Sequence, residues 1–106
     1  MSAIAPGIQG LHHISLVCSS AQRTADYYTR VLGMRLVKQT VNFDDPSSYH
    51  LYFGDAAGRP GSLVTFFEWA GAAAGHEGVG GTHHFAMLVE TRDALLKWKR
   101  RLTDFG

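Results

Sequence analysis

The sequence contains little of several residue types that define whole classes of protein. Its 106 residues include one cysteine and three prolines. A single cysteine excludes an intrachain disulfide and makes a reducing compartment the default. No run approaches the roughly 18 apolar residues that a membrane span needs, and residues 1–9 show no basic region followed by an apolar core. These absences predict a cytoplasmic protein.

The sequence also lacks an excess of charge of either sign. Ten basic and nine acidic side chains give a formal net charge of +1. A surface that binds nucleic acid or a membrane needs a clustered basic patch. The one local excess, residues 97–101, lies on a predicted helix and is interpreted as its solvated face. We therefore expect neither nucleic acid nor a membrane among the partners.

What the sequence does contain is a repeated pair of histidines. Residues 11–18 read LHHISLVC, and residues 82–89, seventy-one positions later, read THHFAMLV. Each run has the alternation of a short strand and leads into an amphipathic helical pattern. A strand–helix unit that recurs with its histidines in register indicates an internal repeat.

The repeat predicts a single α+β domain over residues 1–106, made of one complete and one partial unit. In the complete unit, residues 11–69, the pattern predicts four strands over 11–18, 34–43, 49–54 and 62–69. It also predicts one helix, for which Ser19 and Ser20 supply an N-cap and Ser19-x-x-Gln22 fits a capping box. A glycine-rich linker, residues 70–81, leads to the partial unit, residues 82–106, which predicts a strand and a helix. One helix covers one face of a four-stranded sheet. We therefore expect either a piece of a longer protein or a partner chain that covers the other face.

Alternation along the strands sorts the histidines by face. In the first unit, Ile14 and its apolar neighbours should face the helix, so His13 points to the opposite face. The same argument places His84 at the equivalent position of the second unit. The two imidazoles then converge if the sheets curve around a common pocket. The alternative is that each histidine is only a hydrogen-bonded or half-exposed side chain at a strand start. His50, on the same face of the third strand, is a candidate for contacting a ligand.

A metal site built on His13 and His84 also needs a carboxylate. Glu68 is the only acidic residue on the fourth predicted strand, which makes it the leading candidate. The alternative is a carboxylate at the rim of the sheet beside Trp69. Two histidines and one carboxylate with open positions suit ferrous iron or manganese, whereas a further carboxylate would suit zinc or nickel.

The same residues resemble a known family. The run at 11–14, together with Asp26-Tyr27-Tyr28 and residues 31–37, resembles the first module of the vicinal oxygen chelate superfamily, which includes glyoxalase I, bleomycin-resistance proteins and extradiol dioxygenases. Within that superfamily, residues 37–46, 49–55 and 60–61 are similar to ring-cleaving dioxygenases that act on hydroquinones.

The resemblance implies paired βαβββ modules whose sheets form a metal-holding cup. It implies that His13 and His84 bind a divalent metal, with Fe(II) favoured and Mn, Zn or Ni as alternatives. His12 is then a pocket residue, and His12 or His50 is the group that takes the substrate proton. The partners that the resemblance implies are a small aromatic diol or quinol and O2. The uncovered sheet face and the incomplete second unit separately predict a second copy of the chain that completes the cup as a homodimer.

Two rival functions remain open at the level of sequence. One is an isomerase or lyase of the glyoxalase type, in which the metal acts as a Lewis acid. The other is a metal-free module that binds an aromatic ligand. The sign of the second rival would be a pocket formed by Tyr52, Phe66 and Trp69, with Glu68 engaged elsewhere.

Overall fold

The computed structural model describes residues 7–41, 44 and 47–106. The elements are β1 (His13–Cys18), α1 (Ala21–Asp26) with a π-helical turn directly after it (Tyr27–Val31), β2 (Arg35–Val41), β3 (Tyr49–Gly54), β4 (Leu63–Glu68) and α2 (Arg92–Phe105). The predicted α+β class and the order of the complete unit are confirmed. The predicted end of the second strand, residues 42–43, and residues 45–46 of the following turn lie outside the described residues. No helix in the described ranges is long and apolar enough to cross a bilayer.

The four strands form one sheet in the order β1-β4-β3-β2. β1 runs parallel to β4, while β3 is antiparallel to both of its neighbours. The register pairs His13 with Leu63, and Ser15 with Thr65. Thr65 is also paired with Tyr52 on β3. Because side chains alternate along a strand, His13, Ser15, Thr65, Tyr52 and hence His50 lie on one face of the sheet.

The opposite face of the sheet carries the core. Leu51, Phe53, Val64 and Phe66 are buried there and form one apolar cluster. Tyr28, from the π-helical turn, stacks on Phe53 with ring centroids 5.3 Å apart and meets Phe66 edge-on at 4.9 Å. Burial is also the main reason that the pKa of Tyr28 is raised. Leu51 and Phe53 thus lie on the helix side of β3, opposite His50.

The helix α1 begins one residue later than the predicted capping box. Ser20 is the N-cap, and its hydroxyl accepts from the backbone N–H of Arg23 at 3.2 Å. The Gln22 side chain donates to Asp26 instead of reaching back to the helix start. The predicted N-cap is therefore confirmed at Ser20, whereas the capping box on Ser19 is wrong. The carboxylate of Glu68 on β4 accepts from the backbone N–H of Ala21 at the start of the helix.

The partial unit forms its helix but not its strand. Residues 82–89 are all described and contain no strand. The physical reason is that a strand needs a hydrogen-bonded neighbour, and the edge of β1 that β4 leaves free is not paired with this segment. The helix α2 begins as predicted, with Thr91 accepting from the N–H of Ala94 at 3.0 Å. Arg101 ties α2 to the first unit by donating to the carbonyls of Arg30 and Val31.

Candidate metal and substrate site

The two histidine pairs have the same local geometry. In the first pair the Nδ1 atoms of His12 and His13 are 2.9 Å apart and the rings meet at 87°. In the second pair the Nδ1 atoms of His83 and His84 are also 2.9 Å apart, with the rings at 85°. Within the part of the chain that the structure describes, the Nε2 atoms of His13 and His84 make no hydrogen bond. A neutral imidazole that is fixed through one nitrogen and free at the other is the form that binds a metal ion.

The second histidine pair lies beside β1. His13 lines a groove of about 560 Å³ together with residues 85–88. His84 lines a groove of about 650 Å³ together with Ser15. The two grooves share Ile14 and Phe85 as lining residues. The structure thus places the two histidine-led stretches of the chain next to each other. Among the described residues, no group of three or more His, Cys, Asp or Glu side chains is close enough to hold a metal ion.

Glu68 does not lie on the face of the sheet that carries His13. It is paired with Cys18, and its carboxylate accepts from the backbone N–H of Ala21 at 2.6 Å, at the start of α1. The residue of β4 paired with His13 is Leu63. Glu68 lies five positions further along the strand, and an odd offset reverses the face. In this arrangement Glu68 and His13 therefore lie on opposite faces of the sheet, and the role of Glu68 as a metal ligand stays a prediction.

His50 lies where it was predicted, on the face that carries His13. Its Nε2 is 3.2 Å from the hydroxyl of Thr65, and its Nδ1 is 3.2 Å from the hydroxyl of Tyr52. The ring stacks on Phe67 with centroids 3.9 Å apart. Burial lowers the pKa of His50, and the nearby His13 and Lys38 lower it further. The neutral form of the ring is therefore favoured, in which one nitrogen donates a hydrogen bond and the other accepts one.

Two hydroxyl side chains beside His50 were not singled out from the sequence. Thr65 is fully buried, and its Oγ1 lies 2.7 Å from the Oγ of Ser15 on β1. The signal that could have identified Thr65 is its position in a strand that is otherwise apolar on both faces, because a buried hydroxyl needs a hydrogen-bond partner. The sequence could not show that the partners would be Ser15 and His50.

The aromatic pocket expected for a metal-free binding module is not formed. Phe66 is buried on the helix side, whereas Tyr52 lies on the opposite face, and Trp69 is half exposed. The metal-free module was also expected to have Glu68 bonded elsewhere, and the carboxylate of Glu68 does accept a hydrogen bond from Ala21. The polar face is therefore built around His13 and His50 and not around the three aromatic rings.

The chain matches the family described as the glyoxalase/bleomycin resistance protein/dioxygenase superfamily over residues 10–106. It therefore belongs to this superfamily, and the resemblance noted in the sequence is confirmed.

Among curated proteins, the chain is 48% identical over 97 residues to the "Putative ring-cleaving dioxygenase MhqO" of Bacillus subtilis, a match that covers 92% of this chain and 31% of that protein. It is 48% identical over 61 residues to a chlorohydroquinone/hydroquinone 1,2-dioxygenase of Sphingobium indicum, with coverage of 57% and 19%. Among solved structures, it superimposes on a crystal structure described as a putative dioxygenase from Bacillus subtilis with a TM-score of 0.76 and 46% identity, over 91% of this chain and 31% of that one. The chain thus spans about a third of the length of MhqO, and about a third of the Bacillus subtilis protein in the crystal structure.

Proposed function

We propose that this chain forms part of the active site of a ring-cleaving dioxygenase that acts on an aromatic diol or quinol. The observation that carries the proposal is the likeness, over nearly the whole chain, to relatives named as ring-cleaving dioxygenases. The geometry supports it, because His13, His50 and Tyr52 share one face of the sheet while the core occupies the other.

The metal ligands that we propose are His13 and His84, with Fe(II) as the favoured ion and Mn, Zn or Ni as alternatives. Both side chains fit this role as donors, because each uses Nδ1 within its own histidine pair and leaves Nε2 free of other described groups. A metal ion held by these two residues would act as a Lewis acid toward a hydroxyl oxygen of the aromatic substrate and would supply the activation of O2. The carboxylate of Glu68 accepts a hydrogen bond from Ala21 at the start of α1. We therefore propose that an oxygen ligand from the protein comes from another segment or a second copy.

The remaining residues of the polar face orient the substrate and accept its proton. Phe67 and His50 present stacked rings beside which an aromatic ring can pack. His50 is the proton acceptor that the geometry supports best, since its two ring nitrogens are held by Thr65 and Tyr52. His12 fixes the orientation of His13 through the contact between their Nδ1 atoms. Its role as a base stays a prediction.

The activity is tested by oxygen uptake with hydroquinone, after anaerobic loading of the untagged chain with Fe(II). We expect uptake by the wild type, at least a tenfold loss in His13→Ala, and no loss in the control variant His76→Ala. His76 is exposed in the linker and makes no hydrogen bond within the described residues. Turnover supported by nickel or zinc without oxygen consumption would contradict a dioxygenase and favour the isomerase or lyase.

A second copy of the chain is the partner that we propose for the exposed apolar side chains of residues 82–106. Leu88 is fully exposed, and Leu95 and Phe105 are more than half exposed. Association of two copies through this segment would bury these side chains, and its exchange would bring the other copy's His84 to the first unit in place of its own. Sedimentation of a stable compact monomer at micromolar concentration would contradict the homodimer.

The cytoplasmic location likewise stays a prediction, supported by the single cysteine.

A further inference from the structure

Four side chains form a continuous hydrogen-bonded row across the polar face of the sheet. The row runs from Ser15 on β1 to Thr65 on β4, at 2.7 Å, and from Thr65 to the Nε2 of His50 on β3, at 3.2 Å. It continues from the Nδ1 of His50 to the hydroxyl of Tyr52, also at 3.2 Å. Ser15 lies two residues from His13 on the same strand, a distance of about 7 Å. The row therefore begins beside the proposed metal ligand and ends at Tyr52.

A count of protons shows that this row has a direction. Three hydroxyl groups and one neutral imidazole supply four protons, but the row contains only three hydrogen bonds. One proton is therefore left over, and it lies at one end. If the Nδ1 of His50 carries the ring proton, the free donor is the hydroxyl of Tyr52. If Nε2 carries the proton, all three bonds reverse and the free donor is the hydroxyl of Ser15.

Thr65 is the residue that connects Ser15 to His50 in the row. It is fully buried and is bonded to both Ser15 and His50, so that its single proton serves one neighbour or the other. Within the described residues, Ser15 and His50 are connected by hydrogen bonds through Thr65, which is the route by which a change at Ser15 reaches the imidazole.

We propose that Thr65 is a positioning residue that couples a hydroxyl ligand beside Ser15 to the proton on His50. The inference rests on the proposed function, because the ligand would be a hydroxyl group of the aromatic substrate. When that hydroxyl ionises, its proton goes to Ser15, the proton of Ser15 goes to Thr65, and that of Thr65 goes to Nε2 of His50. The Nδ1 proton then passes to Tyr52, whose own proton is released to water. No bond to carbon changes and no electron is transferred.

The charged groups around the row do not interrupt it. His13 on β1 and Lys38 on β2 are the titratable groups that act on His50, and both disfavour a second proton on its ring. Lys38 lies over the ring of Tyr52, with its Nζ 5.4 Å from the centroid. The groups that β4 presents to His50, Thr65 and Phe67, carry no charge. His50 is therefore kept in the neutral form, which the row requires.

The coupling is tested by NMR measurement of the His50 tautomer in the ¹⁵N-labelled full chain. In Ser15→Ala, Thr65 loses its other acceptor and donates to Nε2, so we expect the ratio of the Nδ1–H to the Nε2–H tautomer to rise about fivefold. In Thr65→Val the same Ser15→Ala change should have no effect, as a double-mutant cycle requires. Thr65→Ser keeps the hydroxyl and should restore the response. Thr65→Ala is a second uncoupling variant if Thr65→Val does not fold.

The matched control is Ser19→Ala, because Ser19 follows β1 and makes no hydrogen bond within the described residues. It should leave the tautomer ratio unchanged. An equal response to Ser15→Ala with and without Thr65, or no response in either background, would overturn the coupling. The result is independent of oxygen uptake. A tautomer response in a chain that consumes no oxygen would leave the coupling standing while the dioxygenase proposal failed.

Discussion

The two histidine-led stretches of this chain carry the same sequence pattern but have different structures. His13–Cys18 forms β1 and is paired over its whole length with Leu63–Glu68. Residues 84–89 form no strand, and Met87 and Leu88 are 48% and 99% exposed. Yet the paired imidazoles have nearly identical geometry in both stretches. The local sequence thus sets the conformation of the histidine pair, whereas a strand forms only where a neighbour supplies hydrogen bonds.

The largest difference between the two stretches should appear in hydrogen exchange. In the monomeric chain, at concentrations too low for two copies to associate, the amides of β1 that bond to β4 should exchange at least about 100-fold more slowly than those of residues 84–89, which have no strand partner. Mass spectrometry of peptides that cover each stretch measures this ratio. Equal protection of the two stretches would show that residues 84–89 pair with a strand in solution, as they would in a completed second unit or an exchanged dimer.

Truncation of a side chain should lower the free energy of unfolding much more in the core of the first unit than in residues 84–89. Phe53 is fully buried against Tyr28 and Phe66, so Phe53→Ala should lower the free energy of unfolding by about 3–5 kcal/mol. Met87→Ala, in the unpaired stretch, should change it by less than about 0.5 kcal/mol. Urea denaturation of both variants checks this. A loss of similar size in Met87→Ala would mean that the second stretch belongs to the cooperative core.

A substitution at Glu68 distinguishes its structural role from a metal-binding role. Because its carboxylate accepts from the N–H of Ala21, Glu68→Gln should lower the free energy of unfolding by about 1 kcal/mol and leave Fe(II) affinity unchanged. Glu90→Gln is the control, since Glu90 is exposed and has no ion pair within the described residues. Unchanged stability together with a tenfold loss of Fe(II) affinity would restore Glu68 as a ligand.

The smallest effect is the pH dependence that His50 contributes. Its pKa in the folded chain is lowered from 6.5, so the unfolded chain binds the proton more tightly. The stabilisation is therefore complete above about pH 6.5 and is lost as the pH falls through the folded value. The difference in unfolding free energy between the wild type and His50→Gln should shrink from pH 7.5 to pH 5. A difference that grows over this range would contradict the lowered pKa. His76→Gln, in the exposed linker, should show no such trend.

Much of the first unit could be predicted because its signals are local. The bounds of β3, Tyr49–Gly54, follow from alternation between turns, and the same alternation places His13 and His50 on one face. Glu68 could not be placed in the same way. Its face relative to His13 depends on the register between β1 and β4, and no local pattern specifies that Leu63 lies opposite His13. The role of Thr65 depends on the same register.

The central claim is that His13 and His84 bind one metal ion, and anaerobic equilibrium dialysis of the untagged chain against Fe(II) tests it most directly. The account predicts that His13→Ala and His84→Ala each weaken Fe(II) binding at least tenfold. The double variant should bind at most about threefold more weakly than the weaker of the two single variants. The control variant His76→Ala should bind Fe(II) as the wild type does. Binding by the double variant with wild-type affinity would contradict the claim.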